Sequence, residues 1–87
     1  MKIKDGFVLR KVGKEQVVVA VGAAMKDLNG LIKLNDSGVL LWKLLEKGAS
    51  EEDLAGALVK EYKIAPDRAA ADTASFLVPL KEVGCIE

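Results

Sequence analysis

The stretch Leu31-Ile32-Lys33-Leu34-Asn35-Asp36-Ser37-Gly38-Val39-Leu40-Leu41-Trp42-Lys43-Leu44-Leu45-Glu46-Lys47-Gly48 contains the change of periodicity that decides the fold. Before Asn35 the apolar residues come in short β-branched runs. After it, Leu40, Leu41, Leu44 and Leu45 with Trp42 form a wide stripe of the kind a helix gathers on one side. Asn35 suits the N-cap, because its side-chain oxygen can accept from a free backbone N–H of the first turn, and Gly48 suits the C-terminal stop.

Towards the N-terminus, Phe7-Val8-Leu9-Arg10-Lys11-Val12 and Gln16-Val17-Val18-Val19-Ala20-Val21 read as strands either side of a break at Gly13-Lys14-Glu15. Asn29-Gly30 is a two-residue hairpin signal, since both residues tolerate positive φ, and Leu31 to Leu34 then completes a three-stranded antiparallel meander. Gly22-Ala23-Ala24 reads as a bulge or a bend. Towards the C-terminus, Ser50-Glu51-Glu52-Asp53 has the form of a capping box and opens a helix with Leu54, Leu58 and Tyr62 at i, i+4 and i+8. Pro66 fits the first position of a third helix, predicted to run to about Val83 and to stop at Gly84. Pro79 lies inside it, removes one backbone hydrogen bond and predicts a kink near Ser75. The order is a three-stranded antiparallel sheet followed by three helices, an α+β class that is winged-helix-like with the wing placed first.

At 87 residues and 51% apolar content the chain makes one domain, residues 1–87. It has no histidine, which excludes Ser/His and Cys/His nucleophiles and histidine metal sites, and its single Cys85 can neither close an intrachain disulfide nor complete a thiolate zinc site. No catalytic residue, metal ligand or cofactor motif is therefore expected. No window approaches the roughly 20 apolar residues of a membrane span, and one unpaired cysteine suits a reducing interior, so the expected location is cytoplasmic with no membrane partner.

The thirteen basic and thirteen acidic side chains cancel, but residues 1–33 carry +4 and residues 34–87 carry −4. This matters for the DNA-binding regulator that a winged helix otherwise suggests. The helices that would approach phosphates are acidic in sum, −3 over Glu51–Tyr62 and −1 over Pro66–Val83, so nucleic acid is not the expected partner. A structural or dimerisation module is the other alternative, because an open edge strand also serves a homodimer.

The run Leu34-Asn35-Asp36-Ser37-Gly38 through Trp42, Leu44, Leu45 and Gly48 closely resembles a signature of PqqD-like proteins, the small proteins of pyrroloquinoline quinone biosynthesis and the related recognition elements of ribosomal peptide modification. Phe7 with Arg10, the segment Ser50 to Tyr62 and the segment Asp72 to Ile86 resemble further patterns of that family in the same order. The sequence departs from them at Thr73, Pro79 and Cys85. The resemblance implies a non-catalytic peptide chaperone that binds the leader of a precursor peptide and presents it to a radical SAM or other peptide-modifying enzyme. It also implies the site, a groove in which the leader adds a strand to the third strand, at Leu31, Ile32, Lys33 and Leu34, with Thr73, Phe76, Leu77 and Leu80 of the last helix as the other wall. An edge strand is physically suited to this, because its unpaired N–H and C=O groups can continue the ladder. Replacing Ile32 with proline is accordingly expected to abolish binding and leave the fold.

Simpler readings compete at several positions. Asn35 is accounted for by capping, Trp42 and Tyr62 by the core, Lys33 by a solvated edge, Asp72 by local pairing and Cys85 by a small core site.

Overall fold

The sheet consists of β1 (Phe7–Val12), β2 (Glu15–Ala20) and β3 (Leu31–Leu34), as seen in a computed structural model that describes residues 1–28 and 30–87. The order is β1-β2-β3 and both pairings are antiparallel. The register aligns Leu9, Val18 and Ile32 in one row, and these pack into the core with Phe7, Ala20 and Leu34.

The link between β2 and β3 differs from the expected hairpin. Asn29 lies outside the described residues, but Val19 pairs with Leu31, so the connection is far longer than two residues. Where a bulge or bend was expected at Gly22-Ala23-Ala24, a 3-10 helix spans Gly22–Lys26. The chain is held there by a distant segment: the Val21 N–H donates to the Gly6 carbonyl at 2.7 Å, and the following turn buries Ala24 beside Gly6. Gly6 has φ 97, and a Cβ there would sit 2.6 Å from the Ala24 Cβ, so only glycine allows this approach.

Three helices follow, α1 (Asp36–Lys47), α2 (Glu51–Tyr62) and α3 (Pro66–Val83). The Asn35 side chain caps α1 by accepting from the Gly38 N–H at 2.9 Å. The expected capping box opens α2: the Asp53 N–H donates to Ser50 Oγ at 3.1 Å, and the Ser50 N–H to the Asp53 carboxylate at 3.0 Å. Hydrogen bonding from Ser50, its backbone N–H first and its side chain second, holds the Asp53 carboxyl below the usual carboxylate range. The third helix continues across Pro79 to Val83 and ends at Gly84, whose φ of 83 is a left-handed stop.

The core is built from Leu41, Trp42 and Leu45 of α1, Leu54 and Leu58 of α2, and Ala69, Leu77 and Leu80 of α3, over Phe7 and Val18 of the sheet. Trp42 is fully buried and its indole N–H has no partner among the described residues, so it acts as core mass. Two segments unseen in the periodicity close the fold. Ile3 forms an antiparallel bridge with Ile86, and Lys2 and Glu87 exchange two backbone hydrogen bonds of 2.9 Å. That bridge seals Cys85 inside, where burial pushes its thiol above the ordinary thiol range. Among the described residues no helix is long and apolar enough to cross a membrane.

Candidate functional site

β3 is an edge strand of the sheet, as β1 is, and the ladder determines which of its groups are free. In an antiparallel pair, residues alternate between exchanging both backbone bonds and exchanging none, and each residue points its N–H and C=O to the same side. The Val21 N–H bonds the Gly6 carbonyl, so Val19, Val17 and Glu15, in step with Val21, also face β1. Gln16 and Val18 therefore face β3, where they pair with Leu34 and Ile32. Leu31 and Lys33 are left with N–H and C=O groups directed away from the sheet.

This corrects the expectation for Ile32. Its N–H points inward to β2, so proline at Ile32 breaks the sheet, whereas proline at Lys33 removes a donor from the open edge.

A groove of about 1000 Å³ runs between this edge and α3. Ile32, Lys33 and Leu34 form one wall, Ser75, Phe76, Pro79 and Leu80 the other, and Leu41 and Leu58 contribute apolar surface from the core. Of the residues expected here, the structure thus brings Ile32, Lys33, Leu34, Phe76 and Leu80 together. Leu31 lies on the edge, 53% exposed, but does not line the groove. Thr73 and Leu77 are turned the other way, each 1% exposed, because their positions on α3 fall on the side that packs into the domain.

Other residues join that reading the sequence missed. Tyr62, placed in the core by its i+8 spacing, is 44% exposed and lines the groove with Ile64 just beyond the end of α2. Arg68 and Asp72 line it from the first half of α3, and the start of α1 contributes Asp36, Ser37 and Gly38. The signal available was the four-residue spacing of Arg68, Asp72, Phe76 with Pro79 and Leu80, which marks one strip of helix surface.

The charges on the walls come in pairs. Lys33 Nζ lies 3.4 Å from a Glu15 carboxylate oxygen, and Arg68 Nε lies 3.7 Å from Asp72. All four side chains are more than half exposed, so these pairs add little stability and can exchange partners with a ligand. With Asp36 the lining holds two cations and three anions, so the +4 of the sheet half does not make the groove basic.

A trough with Leu41, Leu58 and Leu80 as its apolar floor, beside an edge strand with outward backbone groups, has the shape to hold an extended polymer. The chain belongs to the PqqD family. The family profile, coenzyme PQQ synthesis protein D, matches residues 15–86, which includes both walls of the groove. No curated protein matches. Among solved structures, TbiB1 in complex with the TbiA(beta) leader peptide is similar with a TM-score of 0.78 and 26% identity, over 100% of this PqqD-family chain and 95% of that one. Lasso peptide synthetase B1 complexed with the leader peptide is similar with a TM-score of 0.74 and 25% identity, over 95% and 92% of the two chains.

Proposed function

We propose that this PqqD-family chain binds the leader segment of a ribosomally made precursor peptide as a fourth strand on β3 and presents it to a peptide-modifying enzyme, such as a radical SAM protein. The observation that carries this is the open β3 edge, with Leu31 and Lys33 presenting free backbone groups beside a trough walled by α3. That both similar structures are leader-peptide complexes supports the choice of ligand. A strand added here turns alternate side chains into the trough against Ile32, Leu34, Phe76 and Leu80, and the others to the outer side beside Lys33. The ligand class is therefore an extended peptide with apolar residues at every second position. In this reading the domain supplies binding and orientation and the enzyme supplies the chemistry, which suits a sequence without histidine.

The test is an NMR titration with synthetic leader peptides. The amides of Leu31 and Lys33 should shift most on the sheet, together with Phe76 and Leu80 on α3. Lys33→Pro should bind at least about tenfold more weakly while keeping its melting temperature within a few degrees, since only an edge donor is lost. Undisturbed β3 amides at saturating peptide, or full affinity in Lys33→Pro, would remove strand addition at this edge.

A further inference from the structure

α3 carries a proline in its interior, and the proline faces the groove. Pro79 has no N–H, so the carbonyl of Ser75, one turn earlier, lacks its ordinary helical donor. In a helix the carbonyl of residue i points along the axis towards residue i+4 and lies on the surface strip between them. Ser75 and Pro79 both line the groove and both are exposed, so that carbonyl opens on the side of β3 rather than into the core. On the same strip Phe76 and Leu80 are apolar, so in this half of α3 the carbonyl and the Ser75 hydroxyl are the polar points of the wall, beyond Arg68 and Asp72.

Resting on the peptide-binding reading above, we infer that Pro79 makes the Ser75 carbonyl a hydrogen-bond acceptor for the bound peptide, so that α3 positions the ligand by a backbone contact as β3 does. An added strand uses half of its backbone groups on β3. The other half face α3, and a carbonyl without its helical donor is the complement to an N–H there or to a hydroxyl, amide or ammonium on an inward-facing side chain. Placing a helix-breaking residue on a groove wall costs stability, and an acceptor offered to the ligand is what it returns.

The test pairs Pro79→Ala, which restores the missing N–H, with changes in the peptide. The probe is a synthetic peptide selected by display on the wild-type domain, its occupancy of the β3 edge checked by loss of binding to Lys33→Pro. Two series of the peptide are titrated against wild type and Pro79→Ala. One replaces each backbone amide by an ester and so removes an N–H; the other replaces each side chain by alanine. A single position in one series should lose about fivefold in affinity on wild type and nothing on Pro79→Ala, and the series in which it falls tells a backbone donor from a side-chain donor. The Ser75 carbonyl carbon should also shift on binding in wild type and stay in place in Pro79→Ala. If every peptide change costs the same on both proteins, or if Pro79→Ala binds the parent peptide as tightly as wild type, the Ser75 acceptor is overturned while strand addition stands. If no selected peptide is lost on Lys33→Pro, the strand-addition reading falls and takes this acceptor with it.

Discussion

Phe76 and Leu77 are adjacent on α3 and live in opposite environments. Leu77 is 1% exposed among core residues, whereas Phe76 is half-buried, touching the core from one side and lining the groove on the other. The contrast extends to the backbone. The carbonyl of Leu80 accepts from the Gly84 N–H and the Cys85 N–H, both at 3.1 Å, and from the Cys85 thiol at 3.4 Å, while Ser75 is denied its helical donor by Pro79. One side of the helix is saturated and holds the domain together; the other is left short of contacts and is available to a ligand. Residues of the first kind should report on stability and residues of the second on affinity.

The largest expected effect is on the buried side. Leu77→Ala should cost about 2–5 kcal/mol of stability through lost burial and the cavity left behind, with unchanged peptide affinity in the fraction that remains folded. Denaturant titration alongside calorimetric binding separates the two quantities, and a loss of affinity equal to that of a groove variant would collapse the contrast. Phe76→Ala is the mirror experiment: about tenfold weaker binding, equivalent to about 1.4 kcal/mol, with a smaller stability loss than Leu77→Ala. Thr73→Val should be smaller still and of opposite sign. The Thr73 hydroxyl is buried without a hydrogen-bond partner among the described residues, so an apolar residue of the same shape should stabilise by about 1 kcal/mol in thermal unfolding. An affinity loss in Thr73→Val would mean that the hydroxyl reaches the ligand after all.

Much of this division was legible in the sequence. Strand order, the three helices and both cap motifs follow from local chemistry at Asn35, Ser50, Asp53 and Gly84, whose partners lie within a few residues. What stayed hidden depends on long-range placement. The pairing of Ile3 with Ile86 joins segments too short for any periodicity, and the 3-10 helix after β2 exists because Val21 bonds Gly6 rather than because of its own residues. At the candidate site, β3 and the apolar strip of α3 were visible as elements, but the sides assigned to Thr73 and Leu77 were not. Both positions sit next to groove residues in sequence, and only the rotation of α3 against the rest of the domain decides which side each takes. The direction of the edge groups was likewise unreadable, because it is set by the register of β1 on β2 and of β2 on β3 rather than by the residues of β3.

Cys85 provides the finest probe of the saturated side. Its thiol is fully buried, donates to the Leu80 carbonyl, and has its ionisation pushed above the ordinary range by burial. In the unfolded chain the same thiol ionises at its ordinary value. Below that value both states hold the proton and stability is independent of this group. As the pH rises past it, the unfolded chain releases a proton that the folded chain keeps, so unfolding becomes more favourable until the folded thiol ionises as well. Denaturation midpoints should therefore be flat in this respect through neutral pH and decline in alkaline solution with a slope of at most about one proton per molecule. Cys85→Ala should lower stability by about 1 kcal/mol at neutral pH through lost packing and remove that part of the alkaline decline. Peptide affinity should be the same in both proteins, because Leu80 receives two other donors and the side chain that it presents to the groove does not depend on the thiol. A change in affinity with Cys85→Ala would show that the two sides of α3 are coupled through Leu80, the α3 residue that is both fully buried and part of the groove wall.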